Sequence, residues 1–250
     1  MRRHLLVIGA QRCGTTQLHA LLEAHPDIAM ARPARPEPKV FLSPEVVERG
    51  LGWYVETYFA HATTETMLGE KSTSYLEVAD AAGRAAAVLG EAQVVVQLRD
   101  PVARAISNWR FSTANGLELR SLSEALEQNL REKMQWDAEA TSVSPFGYLE
   151  RGRYAEQLDP WFASFPGSVH VRFLEDVVES HTSIVKLYEA LGVDPDFVPS
   201  PPETPLNRSD GEAPQLDDSL RRRLQEYFGP ADDQLRDRLG RELPWSAQLG

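Results

Sequence analysis

The chain has 250 residues, of which 42% are hydrophobic and 25% are charged, as in an ordinary globular protein. No apolar run reaches the ~18 residues of a membrane-spanning helix. The net charge of −11 disfavours a nucleic-acid partner, because proteins that bind nucleic acids usually present a basic face. The single cysteine excludes an internal disulfide, and the N-terminus lacks a targeting pattern, so we expect a cytoplasmic protein.

The most informative stretch is HLLVIGAQRCGTT, residues 4–16. It predicts a buried strand, a tight loop over Gly9–Gly14 and a helix that begins at Thr15 and stops at Pro26. This order forms an anion cradle, because backbone N–H groups point outward and the helix dipole favours negative charge. The spacing is that of a P-loop, but Thr15 replaces the lysine and Arg12 supplies a cation within the loop. The absence of the P-loop lysine and the presence of Arg12 within the loop indicate that the ligand is a phosphorylated donor other than a nucleoside triphosphate.

The rest of the chain predicts strands and helices in alternation. Strands are predicted over residues 27–31, 92–99 and 168–177, and helices over residues 46–61, 78–90, 101–115, 121–134, 153–165 and 180–192, with a long loop over 193–214 and two charged helices after it. Prolines make residues 32–42 extended, Pro160 predicts a kink or break, and residues 69–76 predict a turn or strand end. We expect an α/β fold: a P-loop-like three-layer sandwich with a central parallel sheet flanked by helices, in one domain over residues 1–250.

A second informative element is VVVQLRDPVARAISNW, residues 94–109. Arg99 follows a central strand at its carboxyl end, where open α/β sheets bind ligands. Asp100 and Pro101 predict the start of a helix, and Ser107 lies about two turns further along it. An arginine and a hydroxyl placed in this way can hold a second phosphate. The alternative is that Arg99 makes a surface ion pair and that Ser107 is an ordinary helix-surface residue.

GAQRCGTT and LRDPVARAIS together resemble the two donor-binding motifs of the sulfotransferases that use 3′-phosphoadenosine 5′-phosphosulfate, in particular the glycan-type branch and its bacterial relatives. The resemblance covers roughly residues 4–180. It implies that the first loop holds the 5′-phosphosulfate through Gly9, Gln11, Arg12, Cys13, Gly14, Thr15 and Thr16. It implies that the second strand–helix junction holds the 3′-phosphate through Arg99 and Ser107. A loop over the adenosine would contribute Asn207 and Arg208.

The departure from the P-loop motif suits such a donor. Its 5′ end carries less charge than a triphosphate and needs no chelated Mg²⁺, so we expect no metal, and no cluster of residues has metal-ligand spacing. Arg12 can offer its planar donor fork to the sulfate and to the bridging oxygen as the S–O bond breaks. Because a guanidinium keeps its protons, Arg12 is expected to stabilise charge rather than act as an acid. Transfer in this family is direct, so Cys13 is not expected to be a nucleophile.

The acceptor side needs a base. RPEPKVF resembles the acidic-then-aromatic segment of the glycan-type branch and implies that Glu37 is that base. The neighbouring Lys39 is a candidate either to orient the acceptor or to adjust the base. GEKSTSYL resembles a segment that lines the family's cleft, which makes Lys71 a candidate contact of the sulfate or the acceptor. Without the resemblance, these charges would be interpreted as solvent-exposed. His19 and His25 fit helix packing or a helix end.

The predicted function is transfer of a sulfuryl group from 3′-phosphoadenosine 5′-phosphosulfate to a hydroxyl or an amine of a small-molecule, lipid-linked or sugar acceptor. The aromatic segment 53–59 and Trp109 are compatible with a cleft for a ring-shaped acceptor, although aromatic residues on helices usually belong to the core. One alternative is a P-loop phosphotransferase that acts on a small metabolite. Another is a nucleotide-binding protein without turnover. We expect a cytoplasmic enzyme of secondary metabolism, and the sequence does not predict its oligomeric state.

Overall fold

The computed structural model describes residues 2–133, 135, 144–175, 182–199 and 214–246. The chain divides into two compact units: Met1–Leu98 with Gln157–Asn207, and Arg99–Glu156 with Arg208–Gly250. The single domain over residues 1–250 stays a prediction. No helix within the described ranges is long and apolar enough to cross a membrane.

The first unit contains a parallel sheet of five strands. They are β1 (Arg3–Gly9), β2 (Ile28–Met30), β3 (Met67–Lys71), β4 (Gln93–Leu98) and β5 (Val169–Phe173), in the order β2-β3-β1-β4-β5. Val7 of β1 lies opposite Lys71 of β3, and Gly9 lies opposite Val96 of β4. The strands around the centre therefore end at the same edge, where open α/β sheets bind ligands. The predicted parallel sheet flanked by helices is confirmed.

One strand was not predicted as such. Residues 69–76 predicted a turn or a strand end, but Met67–Lys71 form β3, between β2 and β1. The sheet buries Glu70 completely, and a carboxylate is rarely placed inside a strand core, so the sequence pattern concealed the strand. The predicted strand over residues 168–177 also ends earlier, at Phe173.

The helices occur close to their predicted positions. They are α1 (Thr15–Glu23), α2 (Glu45–Phe59), α3 (Ala79–Leu89), α4 (Pro101–Ala114), α5 (Leu122–Arg131), α6 (Tyr154–Ser164), α7 (Thr182–Leu191) and α8 (Asp218–Leu239). In the first unit, α1 and α7 share an apolar core with the sheet, in which Leu18, Leu22 and Tyr188 are almost fully buried. This packing fixes α1, and with it the loop between β1 and α1.

Two helices contain a proline in their interior. Helix α6 continues through Pro160, so the predicted break does not occur there. Helix α8 continues through Pro230, so one helix replaces the two charged helices that were expected. A proline inside a helix removes one hydrogen bond and costs about 3 kcal/mol. In α8 this cost is offset by burial on both sides of the proline, since Phe228 and Ala231 are almost fully buried.

In the second unit, α4, α5 and α8 enclose a separate apolar core. Its buried members include Val102, Ala105, Leu126, Leu220, Leu224 and Phe228. As predicted, Asp100 caps α4, because its carboxylate accepts hydrogen bonds from the backbone N–H groups of Val102 and Ala103 at 2.8 and 3.5 Å. The start of α4, next to Arg99, is thereby well defined.

Asp232 makes the stability of this unit depend on pH. Burial, together with the charge of Asp100, raises the pKa of Asp232 to about 6, although Trp245 Nε1 donates a hydrogen bond to its carboxylate at 3.0 Å. A carboxyl with a raised pKa contributes its full stability below its unfolded-state pKa, and the contribution is lost as pH rises through the folded-state value. We expect Asp232→Asn to be more stable than wild type by about 1–2 kcal/mol at about pH 8, and this difference to vanish as pH falls below the folded-state pKa towards the ordinary aspartate value.

Urea unfolding across this pH range measures the difference. Asp237→Asn, which changes an exposed carboxylate on the same helix, is the matched control and should show no such pH dependence. A difference between Asp232→Asn and wild type that stays constant with pH would contradict the prediction.

Candidate functional site

The loop after β1 is anchored to β4. The backbone N–H of Ala10 donates to the carbonyl of Gln97 at 2.8 Å, and Gln97 Nε2 donates to the carbonyl of Cys13 at 2.6 Å. Gln97 is 1% exposed. It was not predicted, although a lone polar residue within the apolar strand VVVQL was a signal that its side chain bonds to something specific.

Gly14 ends the loop and precedes α1. Its φ of 75° lies in the left-handed region, and a Cβ there would come within 2.7 Å of Leu174 Cδ1 and 3.0 Å of Gln97 Nε2. Glycine therefore meets both a conformational and a spatial requirement. Because Gly14 provides no capping side chain, the positive end of the α1 dipole faces the loop. This arrangement fits the predicted anion cradle.

The side chains of the loop divide by exposure. Cys13 is fully buried, so its side chain does not face the surface of the loop. Thr15 is buried, whereas Gln11, Arg12 and Thr16 are partly exposed. Arg12 adopts a φ of 68°, which is rare for a residue other than glycine.

Glu37 and Lys71 form an ion pair. Lys71 Nζ donates to Glu37 Oε1 in a short contact, and the two side chains are only 12% and 18% exposed, respectively. The carboxylate of Glu37 also accepts from the backbone N–H and the hydroxyl of Thr73, each at 2.9 Å. The interpretation of Glu37 and Lys71 as solvent-exposed charges is wrong. Thr73, which was not predicted, completes the cluster.

The segments that carry these residues run side by side. The N–H of Lys39 donates to Ser72 Oγ at 2.8 Å, and the N–H of Phe41 donates to the Tyr75 hydroxyl at 3.1 Å. Residues 37–41 therefore contact the end of β3 and the turn after it at every second position. Lys39 has a φ of 53° and lies two residues beyond Glu37, with its side chain half-buried.

A buried acid underlies these contacts. Glu70 is fully buried, and its carboxylate accepts hydrogen bonds from the hydroxyls of Tyr54, Ser72 and Tyr75 at 2.8, 2.6 and 2.5 Å. Burial raises the pKa of Glu70, and the three hydroxyl donors oppose that shift.

His19 contributes a neutral imidazole near the ion pair. Burial lowers the pKa of His19; the charges of Glu23 and Glu37 raise it, and those of Lys71 and Arg35 lower it. Helix α1 thus brings His19 within electrostatic range of the Glu37–Lys71 pair. The prediction that His19 packs within its helix environment agrees with its burial.

The second unit contains the other predicted donor residues. Arg99 is half-buried, and its guanidinium has no hydrogen-bond or ion-pair partner in the part of the chain that the structure describes. The surface ion pair considered as an alternative is therefore not formed with a described residue. The backbone carbonyl of Arg99 accepts a hydrogen bond from the Tyr154 hydroxyl at 2.8 Å, which fixes the backbone at Arg99. Ser107 lies half-buried on α4. Asn207 and Arg208 lie outside the described residues.

Within the described ranges, no group of three or more His, Cys, Asp or Glu side chains could hold a metal ion. A parallel sheet whose first strand leads through an anion-cradle loop into a helix N-terminus defines the class of P-loop-like α/β proteins. Residues 2–199 match the sulfotransferase domain family. The chain belongs to this family, which confirms the resemblance seen in the sequence.

Curated relatives resemble part of the chain. The human bifunctional heparan sulfate N-deacetylase/N-sulfotransferase 1 is 30% identical over 167 residues, which cover 64% of this chain and 18% of that protein. The mouse heparan sulfate glucosamine 3-O-sulfotransferase 3B1 is 27% identical over 164 residues, covering 64% of this chain and 38% of that protein. The chain thus spans well under half the length of these relatives.

Solved structures are similar over nearly the whole chain. A sulfotransferase from Alicyclobacillus acidocaldarius superposes with a TM-score of 0.77 at 25% identity, covering 97% of this chain and 98% of that one. The sulfotransferase domain of the curacin biosynthetic pathway superposes with a TM-score of 0.52 at 14% identity, covering 98% and 99%. The second similarity concerns the fold alone.

Proposed function

We propose that the protein transfers a sulfuryl group from 3′-phosphoadenosine 5′-phosphosulfate directly to a hydroxyl or amine of an acceptor. The observation that carries the proposal is the enclosed cluster of Glu37, Lys71 and Thr73, which lies in the same unit as the anion-cradle loop. A carboxylate held by directed hydrogen bonds is a suitable general base. A cradle of backbone N–H groups beside Arg12 is suited to a phosphosulfate.

In the proposed reaction, Glu37 accepts the proton of the acceptor hydroxyl as the acceptor oxygen bonds to sulfur. The bond between sulfur and the bridging oxygen breaks, and 3′-phosphoadenosine 5′-phosphate leaves with the electron pair. Arg12 and the helix dipole of α1 stabilise the charge that develops on the bridging oxygen and the sulfuryl group. Lys71 neutralises Glu37 before transfer, and it can contact the sulfuryl group or the acceptor.

The proposed acceptor is a carbohydrate or a small molecule. The two curated relatives carry heparan sulfate in their names, which supports a sugar acceptor for this chain. Lys39 would orient the acceptor, because it is adjacent to Glu37 in the same segment. A cytoplasmic location and a role in secondary metabolism remain predictions.

Thermal shift measurements test the donor. We expect 3′-phosphoadenosine 5′-phosphate to stabilise the protein without Mg²⁺, because a ligand that binds only the folded state raises its stability. Stabilisation by ATP with Mg²⁺ alone would instead indicate a phosphotransferase. Labelled donor, offered with a glucosamine oligosaccharide, a phenol and a long-chain alcohol, then identifies the acceptor class. Donor binding without any transfer would favour a nucleotide-binding protein.

Arg99→Ala tests the site of the 3′-phosphate. Loss of a charge-assisted hydrogen bond costs about 1.5–3 kcal/mol, so we expect the affinity for 3′-phosphoadenosine 5′-phosphate to fall by roughly 10–100-fold. Binding of adenosine 5′-phosphate, which lacks the 3′-phosphate, should change little. Isothermal titration measures both. Arg222→Ala, which removes an exposed arginine of α8, is the control. Equal losses for the two nucleotides would remove Arg99 from the 3′ site.

A further inference from the structure

The segment that carries Glu37 contacts β3 and its turn through paired bonds. Glu37 binds Lys71 and Thr73, Lys39 binds Ser72 through its N–H, and Phe41 binds Tyr75 through its N–H. The latter two bonds end on hydroxyl groups rather than on backbone carbonyls. The position of the segment therefore depends on how those two hydroxyls are oriented.

Glu70 determines that orientation. A hydroxyl has one proton to donate, and a carboxylate only accepts. Ser72 Oγ and the Tyr75 hydroxyl both donate to Glu70 Oε1, at 2.6 and 2.5 Å. Their lone pairs are then available to the N–H groups of Lys39 and Phe41. Tyr54 also donates to Glu70, at 2.8 Å to Oε2, but no hydrogen bond joins it to the segment over residues 37–41 among the described residues.

The burial of Glu70 costs free energy, and no positively charged side chain among the described residues forms an ion pair with it. Among the described residues, its side chain bonds only to the three hydroxyls and forms no ion pair with a lysine, arginine or histidine. Placing a carboxylate in such surroundings opposes folding unless its hydrogen bonds are well formed. Burial, with the charge of Glu70, raises the pKa of Tyr54 and of Tyr75 well above the ordinary value, so both phenols keep their protons. Both tyrosines are thus fixed as hydrogen-bond donors to the acid.

We propose that Glu70 is a positioning residue for the reaction: its carboxylate orients Ser72 and Tyr75 so that they hold the Lys39–Phe41 segment and, through it, Glu37 and Lys39. This rests on the proposed function for the role of Glu37. The hydrogen-bond relay itself is a property of the fold and can be tested without an acceptor.

Glu70→Met distinguishes this role from simple core packing. Methionine has a similar length but no accepting oxygen, so Ser72 and Tyr75, which both donate to Oε1, lose the acceptor that fixes their protons. Each hydroxyl can then turn its proton towards the Lys39–Phe41 segment and lose its role as acceptor. Glutamine is not the variant of choice, because its oxygen can replace Oε1 while its NH₂ group faces Tyr54. Tyr54→Phe is the matched control, because it removes a donor to Glu70 while leaving both segment contacts in place. Ser72→Ala removes the acceptor of the Lys39 N–H and serves if Glu70→Met does not fold.

The first measurement is amide hydrogen exchange over residues 37–42. We expect Glu70→Met and Ser72→Ala to speed exchange there by about 10-fold or more, and Tyr54→Phe to change it by less than about threefold. Equal exchange in Glu70→Met and Tyr54→Phe would overturn the relay. This result is independent of any activity.

The second measurement is the split between turnover and binding. With labelled donor and a glucosamine oligosaccharide as the acceptor probe, Glu70→Met should lower kcat by about 10-fold or more and leave the KM for the donor within about twofold. Tyr54→Phe should keep kcat near the wild-type value. A wild-type protein that fails to transfer to any acceptor contradicts the proposed function, whereas unchanged kcat in Glu70→Met beside an active wild type contradicts the positioning role.

Discussion

Replacing Glu37 with glutamine should lower the turnover number by a factor of about 10²–10⁴ and leave the affinity for 3′-phosphoadenosine 5′-phosphate within about twofold. Glutamine has nearly the same shape, and its single oxygen can still accept from Lys71 or from the Thr73 N–H, which bind different oxygens of the native carboxylate. It cannot take up a proton from the acceptor. The loss should therefore fall on kcat, measured with labelled donor at saturating acceptor, rather than on nucleotide binding measured by titration.

Glu56→Gln provides the control, because Glu56 is an exposed carboxylate on α2. It should retain wild-type turnover. Activity retained in Glu37→Gln would place the base elsewhere, with Lys71 and the neutral imidazole of His19 as the next residues to replace. Loss of nucleotide binding in Glu37→Gln would instead show that the ion pair with Lys71 supports the donor site.

The second large effect is expected at Arg12. Arg12→Met should lower kcat by a factor of about 10²–10³, because it removes a preorganised charge aimed at the group that becomes negative in the transition state. Methionine fills a similar length without charge. Single-turnover rates with labelled donor separate this effect from weaker binding.

Arg12→Lys is the matched variant. Lysine must adopt the same left-handed backbone conformation, so any strain is equal in the two variants. It keeps the charge but not the planar donor fork, and its turnover should lie between wild type and Arg12→Met. If Arg12→Met changed only the KM for the donor, Arg12 would bind ground state and transition state equally, which would contradict its role as a stabiliser of developing charge.

The loop between β1 and α1 could be predicted because its signals are local. Gly14 supplies a backbone conformation that other residues adopt with difficulty, and the apolar run before it and the amphipathic pattern after it specify a strand and a helix. Asp100 was predicted as a helix cap for the same reason. Such features depend on residues that are neighbours in the chain.

The support beneath the site could not be predicted in the same way. Glu37 and Lys71 are 34 residues apart in the chain, and their contact depends on β3 lying beside β2, the strand that precedes the segment of Glu37. Strand β3 was itself obscured by Glu70, whose burial requires hydroxyl partners that no local pattern reveals. Gln97 anchors the loop from β4, 84 residues away from Cys13. These are tertiary hydrogen bonds, which determine where the predicted charges are held but leave little trace in the spacing of residues.

The backbone conformations of Arg12 and Lys39 have a consequence for how the protein can change. They are the two non-glycine residues with positive φ in the described part of the chain, and they lie in the two segments that form the candidate site. Glycine would relax the backbone at either position, since it adopts such angles without steric penalty, but it would remove a cation. At these two positions, a substitution that relaxes the backbone therefore removes a cation that the proposed reaction uses. Selection for stability alone would be expected to erase these two cations.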